Sequence, residues 1–254
     1  MTENITVQSI ERAFKILEVI RDKGKVGIRE LSKLTGLSPS TVQRLVFTLE
    51  KTGYLFREPL TSKCRLSHKF FYLANEAFYQ SRLPSLAVPF LEKLSLELNE
   101  TVELATIDKM GYIISVAKVS LSREAKTPVV VGNRSPAHSN ALGKAILAYL
   151  PEEEKKRVYK NLSLEAFTPY TITDLKTLKE ELKKVREKGY SLSKKEQYGS
   201  EIMIAAPIID HLGIVGAFGI YSSAQRISEE RIPLIGNILL RVSREISFCF
   251  GWQP

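Results

Sequence analysis

Five polar side chains between residues 40 and 48 are spaced for hydrogen bonding with nucleic acid. They are Ser40, Thr41, Gln43, Arg44 and Thr48, and the apolar residues between them fall on the other side of a helix. Arg44 and Gln43 can each make paired hydrogen bonds with base edges in the major groove. The hydroxyl groups suit phosphate contacts, which position a protein without reading sequence. This segment therefore offers the chemistry of binding to a double-stranded DNA operator.

The segment around these residues is typical of a helix-turn-helix. Ser38 is a good N-cap that can also contact phosphate, and Pro39 fits the first helical position. The buried stripe of this helix is predicted to be Val42, Leu45, Val46 and Leu49. A shorter helix precedes it, with Ile28, Leu31 and Leu34 on one side, and Gly36 ends that helix.

A third helix and a hairpin complete a winged helix. The apolar side of the upstream helix is predicted to contain Ile10, Ala13, Phe14, Leu17 and Ile20. Short β-like runs at 54–56 and 64–66 flank a turn marked by Pro59, as expected for a wing. Lys63 and Arg65 place positive charge on the wing, where phosphates would be met.

Two alternatives to base reading remain open. Arg44 could form an intradomain salt bridge, for instance with Glu11 or Glu30. A winged helix can also serve as a protein-interaction module or as part of a small-molecule sensor without sequence-specific DNA binding. Residues 1–79 hold 13 Lys and Arg against 8 Asp and Glu, which is more than half of the net charge of +9. The basic wing and the polar helix face favour DNA.

Cysteine and histidine usage argues against a metal site, a cofactor or catalysis. Cys64 and Cys249 lie far apart without metal-ligand spacing. The three histidines are His68, His138 and His211, and no orienting carboxylate accompanies them. We therefore expect no metal, no cofactor and no enzymatic activity.

The remaining acidic residues and the termini carry little further signal. A solvated surface is predicted for Glu92, Glu97, Glu100 and Glu103. The first eight residues are polar, and no apolar run approaches the ~20 residues needed to cross a bilayer. These features predict a cytoplasmic protein with no membrane partner.

Beyond the wing, the period of the apolar residues predicts an α+β fold with an antiparallel sheet flanked by helices. The predicted boundaries are 1–66 for the winged helix-turn-helix domain, 67–82 for a linker helix broken at 82–85, and 83–254 for the second domain. A helix is predicted over 85–98, where Pro89 marks either a kink or a later start. Predicted strands cover 102–107, 112–117, 128–131, 190–193, 202–209 and 214–221; helices cover 140–150, 151–161 and 174–188, with a last one from about 228.

Several ordered motifs resemble those of the IclR-type bacterial transcriptional regulators. They are VQSIERAFKIL at 7–17, STVQRL at 40–45, PAHSNALGKA at 136–145, GYS at 189–191, IAAPI at 204–208 and SEER at 228–231. The resemblance spans essentially the whole chain. It implies a ligand-responsive repressor or activator of a small-molecule catabolic operon, with a winged helix, a linker helix and a GAF-like effector-binding domain. It also implies a homodimer or dimer of dimers paired through the linker helix, where Phe70, Phe71 and Phe78 would contribute unless they are buried within their own chain.

The resemblance places a small-molecule effector, a carboxylic acid, at the start of the helix after Ser139. The backbones of Ala141 and Leu142 would hold the acid group, and either Asn140 or Ser139 can cap the helix. His138 is expected at the pocket rim as a hydrogen-bonding residue.

Four further positions in the implied pocket depart from the family pattern. Ser193 stands in place of an acidic run, Met203 replaces a cysteine, and Gly219 and Tyr221 replace serines. These departures predict a pocket that is less acidic than that of other family members and is shaped by an aromatic ring. We therefore expect a larger aromatic or sugar-derived acid rather than a glyoxylate-like or pyruvate-like one.

Overall fold

Residues 6–120 and 129–253 are described by a computed structural model; for residues 78 and 79 only the backbone is described. The chain divides between Gln80 and Ser81 into an N-terminal and a C-terminal unit. Helices and an antiparallel sheet occur together, which confirms the α+β prediction. Within the described residues, no helix combines the length and apolar character needed to cross a membrane.

The N-terminal unit is a helix-turn-helix followed by a two-stranded wing. Its elements are α1 Gln8–Lys23, α2 Ile28–Thr35, α3 Pro39–Lys51, β1 Leu55–Arg57, β2 Cys64–Leu66 and α4 Lys69–Gln80. Gly36 ends α2 in the left-handed conformation, with φ of 72°, as its position predicted. The wing is tied to the helices by an isolated bridge, in which the N–H of Val26 donates to the carbonyl of Cys64 and the reverse bond also forms.

Fewer apolar residues are buried in the core of this unit than the sequence pattern predicted. Its fully buried members are Ile16, Ile20, Val26, Leu31, Val42, Val46, Leu55 and Cys64. The predicted burial of Ile10, Phe14 and Leu34 is wrong, because α1 and α2 turn these three side chains toward solvent. A domain of three short helices encloses only a thin stripe of each helix, so part of an apolar face stays outside.

The linker region also differs from the prediction. The break lies at Ser81, and α5 begins at Arg82 rather than at Ser85. Pro84 is accommodated in the first turn, where an N–H has no helical partner, and Pro89 lies inside the helix rather than before it. Phe70 packs on Tyr54 with ring centroids 5.3 Å apart, so this aromatic residue is partly buried by its own unit.

Phe71 and Phe78 are the other two residues predicted to pair subunits. Phe71 is exposed. The side chain of Phe78 lies outside the described part of the chain.

The C-terminal unit is a six-stranded antiparallel sheet between two layers of helices. Its strands are β3 Thr101–Ile107, β4 Tyr112–Val119, β5 Arg134–Pro136, β6 Ser191–Lys194, β7 Glu201–Ile209 and β8 Ile214–Ser223, in the order β5-β4-β3-β8-β7-β6. Its helices are α5 Arg82–Leu98, α6 Ala141–Tyr149, α7 Glu152–Asn161, α8 Leu175–Lys188 and α9 Arg231–Cys249.

Alternate residues of each strand face opposite helical layers. Leu104, Ile204 and Phe218 belong to the core shared with α5 and α9. Ala105, Met203, Ala205 and Ala217 belong to the core shared with α6 and α8. The strand period of two therefore assigns each side chain to one face, and the side of α6 is the one that holds the candidate pocket.

Two local predictions in this unit are wrong. The valine run at 129–131 is loop and turn, the third strand forms at Arg134–Pro136 instead, and Pro128 lies outside the described residues. A β-branched run becomes a strand only where a partner edge is in register. The last helix begins at Arg231 rather than at about residue 228.

Candidate functional site

The N-terminus of α3 is built by a hydroxyl network. Ser38 Oγ accepts a hydrogen bond from the N–H of Thr41 at 3.3 Å and lies 2.8 Å from Thr41 Oγ1 and 3.1 Å from Ser40 Oγ. This N-cap holds three of the predicted phosphate-contacting residues together at the start of one helix. Helix N-termini favour anions because their first N–H groups have no partner within the helix.

The outer face of α3 presents the side chains that could reach base edges. Ser40, Gln43 and Arg44 are exposed and line an open groove. Thr48 also faces solvent, although its hydroxyl donates to the carbonyl of Arg44 at 3.0 Å. Among the ion pairs of the described residues, none joins Arg44 to Glu11 or Glu30.

The two basic residues of the wing, Lys63 and Arg65, differ in their exposure to solvent. Lys63 is exposed beside the turn. The guanidinium of Arg65 lies 4.6 Å from the centroid of the Phe56 ring and is half-buried there. Lys25, which follows α1, and Glu58, which begins the turn of the wing, form an ion pair at 2.5 Å. Lys63 is thus the freer of the two basic groups for phosphate contact.

In the C-terminal unit, the start of α6 is closely packed on the turn before it. Asn140 caps the helix, with its Oδ1 accepting from the N–H of Gly143 at 2.8 Å. A Cβ at Gly143 would lie 2.1 Å from the carbonyl oxygen of Ala137, so only glycine allows this approach. Ala141 and Leu142 occupy the first two helical positions and are wholly buried.

A cavity of about 40 Å³ opens beside Asn140. Its lining consists of Glu103, Ile113, Val129, Val130, Asn133, Arg134, Ser135, Asn140, Gln197, Tyr198, Met203 and Tyr221. Ligand pockets commonly measure about 300–1,000 Å³, so this cavity is small for an organic ligand of several atoms.

The structure brings three of the predicted effector residues, Asn140, Met203 and Tyr221, into this lining. Gly219 and Ser193 lie outside this lining. Gly219 pairs with Glu103 on β3 and with Ala205 on β7, and the buried hydroxyl of Ser193 lies 3.5 Å from the carbonyl oxygen of Ser139.

His138 is wholly buried and lies outside the lining. Its Nε2 is 3.0 Å from the carbonyl oxygen of Glu165. Burial lowers its pKa, which favours the neutral ring.

The sequence pattern did not predict that charged side chains line the cavity. Glu103 and Glu100 are both buried, so the predicted solvated surface is wrong for these two residues. Burial raises the pKa of Glu103 to about 7. Glu100 instead pairs with Arg226 at 3.0 Å. An acidic residue at an alternate position of the apolar run VELATI was the available signal for Glu103.

Arg134 and two tyrosines complete the polar part of the lining. Arg134 is ion-paired with Asp108, and its guanidinium lies 4.5 Å from the centroid of the Tyr112 ring. Tyr198 and Tyr221 meet edge to face with centroids 6.4 Å apart, and burial raises the pKa of Tyr221. The lining of this cavity therefore combines two aromatic rings with a carboxyl group and a guanidinium.

Similarity to known proteins agrees with this architecture. The IclR helix-turn-helix domain matches residues 9–59, and the bacterial transcriptional regulator IclR C-terminal domain matches residues 77–248. The chain belongs to the IclR family of bacterial transcriptional regulators. An IclR-family chain with a helix-turn-helix is a DNA-binding regulator of transcription, which confirms the resemblance found in the motifs.

Individual relatives extend over nearly the full length of this IclR-family protein. The HTH-type transcriptional regulator KdgR of Escherichia coli is 31% identical, over 98% of this chain and 94% of its own. The crystal structure of the Thermotoga maritima IclR has 28% identity and a TM-score of 0.71, covering 96% and 99% of the two chains. An IclR homologue from Microbacterium hydrocarbonoxydans, complexed with 4-hydroxybenzoate, shares the fold with a TM-score of 0.78 at 23% identity, covering 95% and 98%.

Proposed function

We propose that this IclR-family regulator binds its operator through α3 and the wing, and that a carboxylic acid bound beside α6 alters its operator affinity. In the DNA-binding unit, Arg44 and Gln43 read base edges. Phosphate contacts come from Ser38, Ser40, Thr41, Thr48, Lys63 and Arg65. The exposed outer face of α3, with an Arg44 that forms no ion pair to Glu11 or Glu30, supports this assignment.

One observation carries the effector proposal: the N-cap of α6, a guanidinium and a buried carboxyl group line the same cavity. The acid group of the effector is held by the backbone N–H groups of Ala141 and Leu142, with Arg134 adding positive charge. Glu103 and Tyr221 hydrogen-bond with a hydroxyl group elsewhere on the ligand. A hydroxylated aromatic or sugar-derived acid fits these groups, and a relative of the same fold has been crystallised with 4-hydroxybenzoate.

The small cavity volume fits a coupling mechanism. Because about 40 Å³ is too small for such an acid, ligand entry has to displace the loops that carry Val129, Val130, Gln197 and Tyr198. A ligand shifts a conformational equilibrium only by its differential affinity for the two states, and an acid that fits only the opened arrangement of these loops has such a difference.

We place the subunit contact on α4. Phe71 and Tyr72 are exposed there, and large exposed aromatic side chains commonly mark association surfaces. A homodimer, or a dimer of dimers, would present two copies of α3 to successive major grooves about 34 Å apart. Such a regulator acts in the cytoplasm, where the bacterial DNA lies.

The effector proposal is tested by thermal unfolding of the full chain with a panel of organic acids. Each acid is paired with its uncharged amide, and 4-hydroxybenzoate with 4-hydroxybenzamide is one such pair. We expect at least one acid, and not its amide, to raise the melting temperature of the wild type and to fail with Tyr221→Ala. Equal stabilisation by acid and amide, or the same response in both proteins, would contradict a charged ligand in this cavity.

A further inference from the structure

Phe47 lies on the outward face of α3, the recognition helix of the helix-turn-helix. The hydrogen-bonding pattern of this helix gives Phe47 no role. It follows Ser40 by seven residues, which at about 100° each places it about 20° from Ser40 around α3. The buried residues Val42 and Val46 lie on the opposite side of the helix. Phe47 is accordingly 63% exposed although it is one of the largest apolar side chains of the unit.

The neighbours of Phe47 belong to the surface that would meet DNA. It lines one groove with Ser40, Gln43 and Arg44 on the same helix face. The two candidate base-reading side chains thus lie three and four residues before Phe47, next to it on one stripe. When Gln43 and Arg44 hydrogen-bond with base edges, the phenyl ring of Phe47 reaches the same depth in the major groove of the DNA.

The acidic group at the edge of this groove is neutralised. Glu50 accepts two hydrogen bonds from Arg57, at 2.8 Å from Nε and 3.0 Å from a terminal guanidinium nitrogen. Paired hydrogen bonding of this kind fixes both side chains. The carboxylate therefore does not present an unpaired negative charge to phosphates, and the groove offers an apolar ring among donors.

One feature of the major groove is apolar and specific to a base, the C5-methyl group of thymine. We propose that Phe47 contacts a thymine methyl group in each operator half-site and thereby specifies that base. This inference rests on the proposed binding of the operator by α3. It adds an apolar reading element to the hydrogen-bonding residues Arg44 and Gln43.

The test removes the methyl group from the DNA rather than only the ring from the protein. The full chain is first used to select its preferred duplex from random sequences. Each thymine of that duplex is then replaced, one at a time, by deoxyuridine, which lacks only the methyl group. Affinities are measured for wild type, Phe47→Ala, Phe47→Leu and the matched control Phe248→Ala, whose ring is 69% exposed on α9.

We expect deoxyuridine at one position of each half-site to weaken wild-type and Phe248→Ala binding about fourfold, the effect of one methyl group withdrawn from water. The same replacement should leave Phe47→Ala unchanged and affect Phe47→Leu to an intermediate extent. Equal losses in wild type and Phe47→Ala at every thymine would overturn the inference. So would a change of oligomeric state in Phe47→Ala without any dependence on the methyl group.

A different result marks failure of the proposed operator binding itself. If the wild type selects no sequence and binds random duplexes equally, both the operator proposal and the role of Phe47 fall together. If a sequence is selected but no methyl group couples to Phe47, only the present inference falls. Thermal unfolding of each variant confirms that it is folded before its affinity is compared.

Discussion

The Nζ of Lys144 lies 2.6 Å from Oε1 of Glu196, and both side chains are buried. This ion pair joins the first turns of α6 to the loop after β6. The same loop is held by Thr171, whose hydroxyl donates to the carbonyl of Glu196 at 2.6 Å. Gln197 and Tyr198 follow directly and line the cavity, so the ion pair positions one wall of the candidate effector site.

Lys144→Met should destabilise the C-terminal unit by about 3–5 kcal/mol, because it leaves the carboxylate of Glu196 buried without its cation. The double variant Lys144→Met, Glu196→Gln should lose less than the sum of the two single variants. Urea unfolding of the three variants measures this coupling. Strictly additive losses would show that the two groups do not depend on each other.

Glu103 should make stability fall with rising pH. Burial raises its pKa from the usual 4.5 to about 7, so the folded state favours the protonated carboxyl group. The contribution of Glu103 is therefore fully present below about pH 4.5 and is lost as pH rises through about 7. Glu103→Gln should abolish this dependence and exceed the wild type in stability by up to about 3 kcal/mol at pH 8.

Chemical denaturation at pH 5, 6, 7 and 8 checks this prediction. Glu97→Gln is a suitable control, since Glu97 is exposed and pairs with Arg241 on the surface. A wild type and a Glu103→Gln variant whose stabilities run parallel across this pH range would contradict the burial argument.

Arg44→Ala and Lys63→Ala should affect DNA binding differently. Loss of a base-reading side chain should cost about 1–3 kcal/mol on the operator and little on random DNA. Loss of Lys63, the proposed phosphate contact, should weaken binding to both duplexes alike and reduce the salt dependence. Fluorescence anisotropy with both duplexes distinguishes the two patterns, and equal losses for Arg44→Ala on specific and random DNA would refute its role.

Gly143→Ala should disrupt the start of α6, because the new Cβ would lie 2.1 Å from the backbone oxygen of Ala137. Overpacking of this kind typically costs about 1–3 kcal/mol. A lowered melting temperature together with weaker acid binding is the expected result. Unchanged stability would mean that the turn before α6 can retreat from the helix.

The recognition helix was predictable from sequence because its determinants are local. Ser38, Pro39 and the apolar spacing act within a few residues of one another, and the structure has the N-cap where the sequence placed it. The start of α6 was equally local, since Asn140 caps its own helix.

The polar lining of the cavity was not predictable, because burial of a charged residue is decided by distant strands. Glu103 is enclosed where β3 pairs with β8, opposite Gly219, more than a hundred residues away. Arg134 sits on β5, which forms only because the edge of β4 is available to it. Exposure of Phe47, by contrast, agrees with the helical period, which places it on the side of α3 away from Val42 and Val46.

Specific binding of a duplex, and its alteration by an acid in the cavity, can be tested together. The decisive measurement is anisotropy of the full chain on DNA flanking its own gene, against a scrambled duplex, over a salt titration. It is repeated with the acid that stabilises the wild type. We predict binding at least about a thousandfold tighter to the native fragment, and an affinity that the acid changes in the wild type but not in Tyr221→Ala. Equal binding to both duplexes with and without the acid would contradict the account.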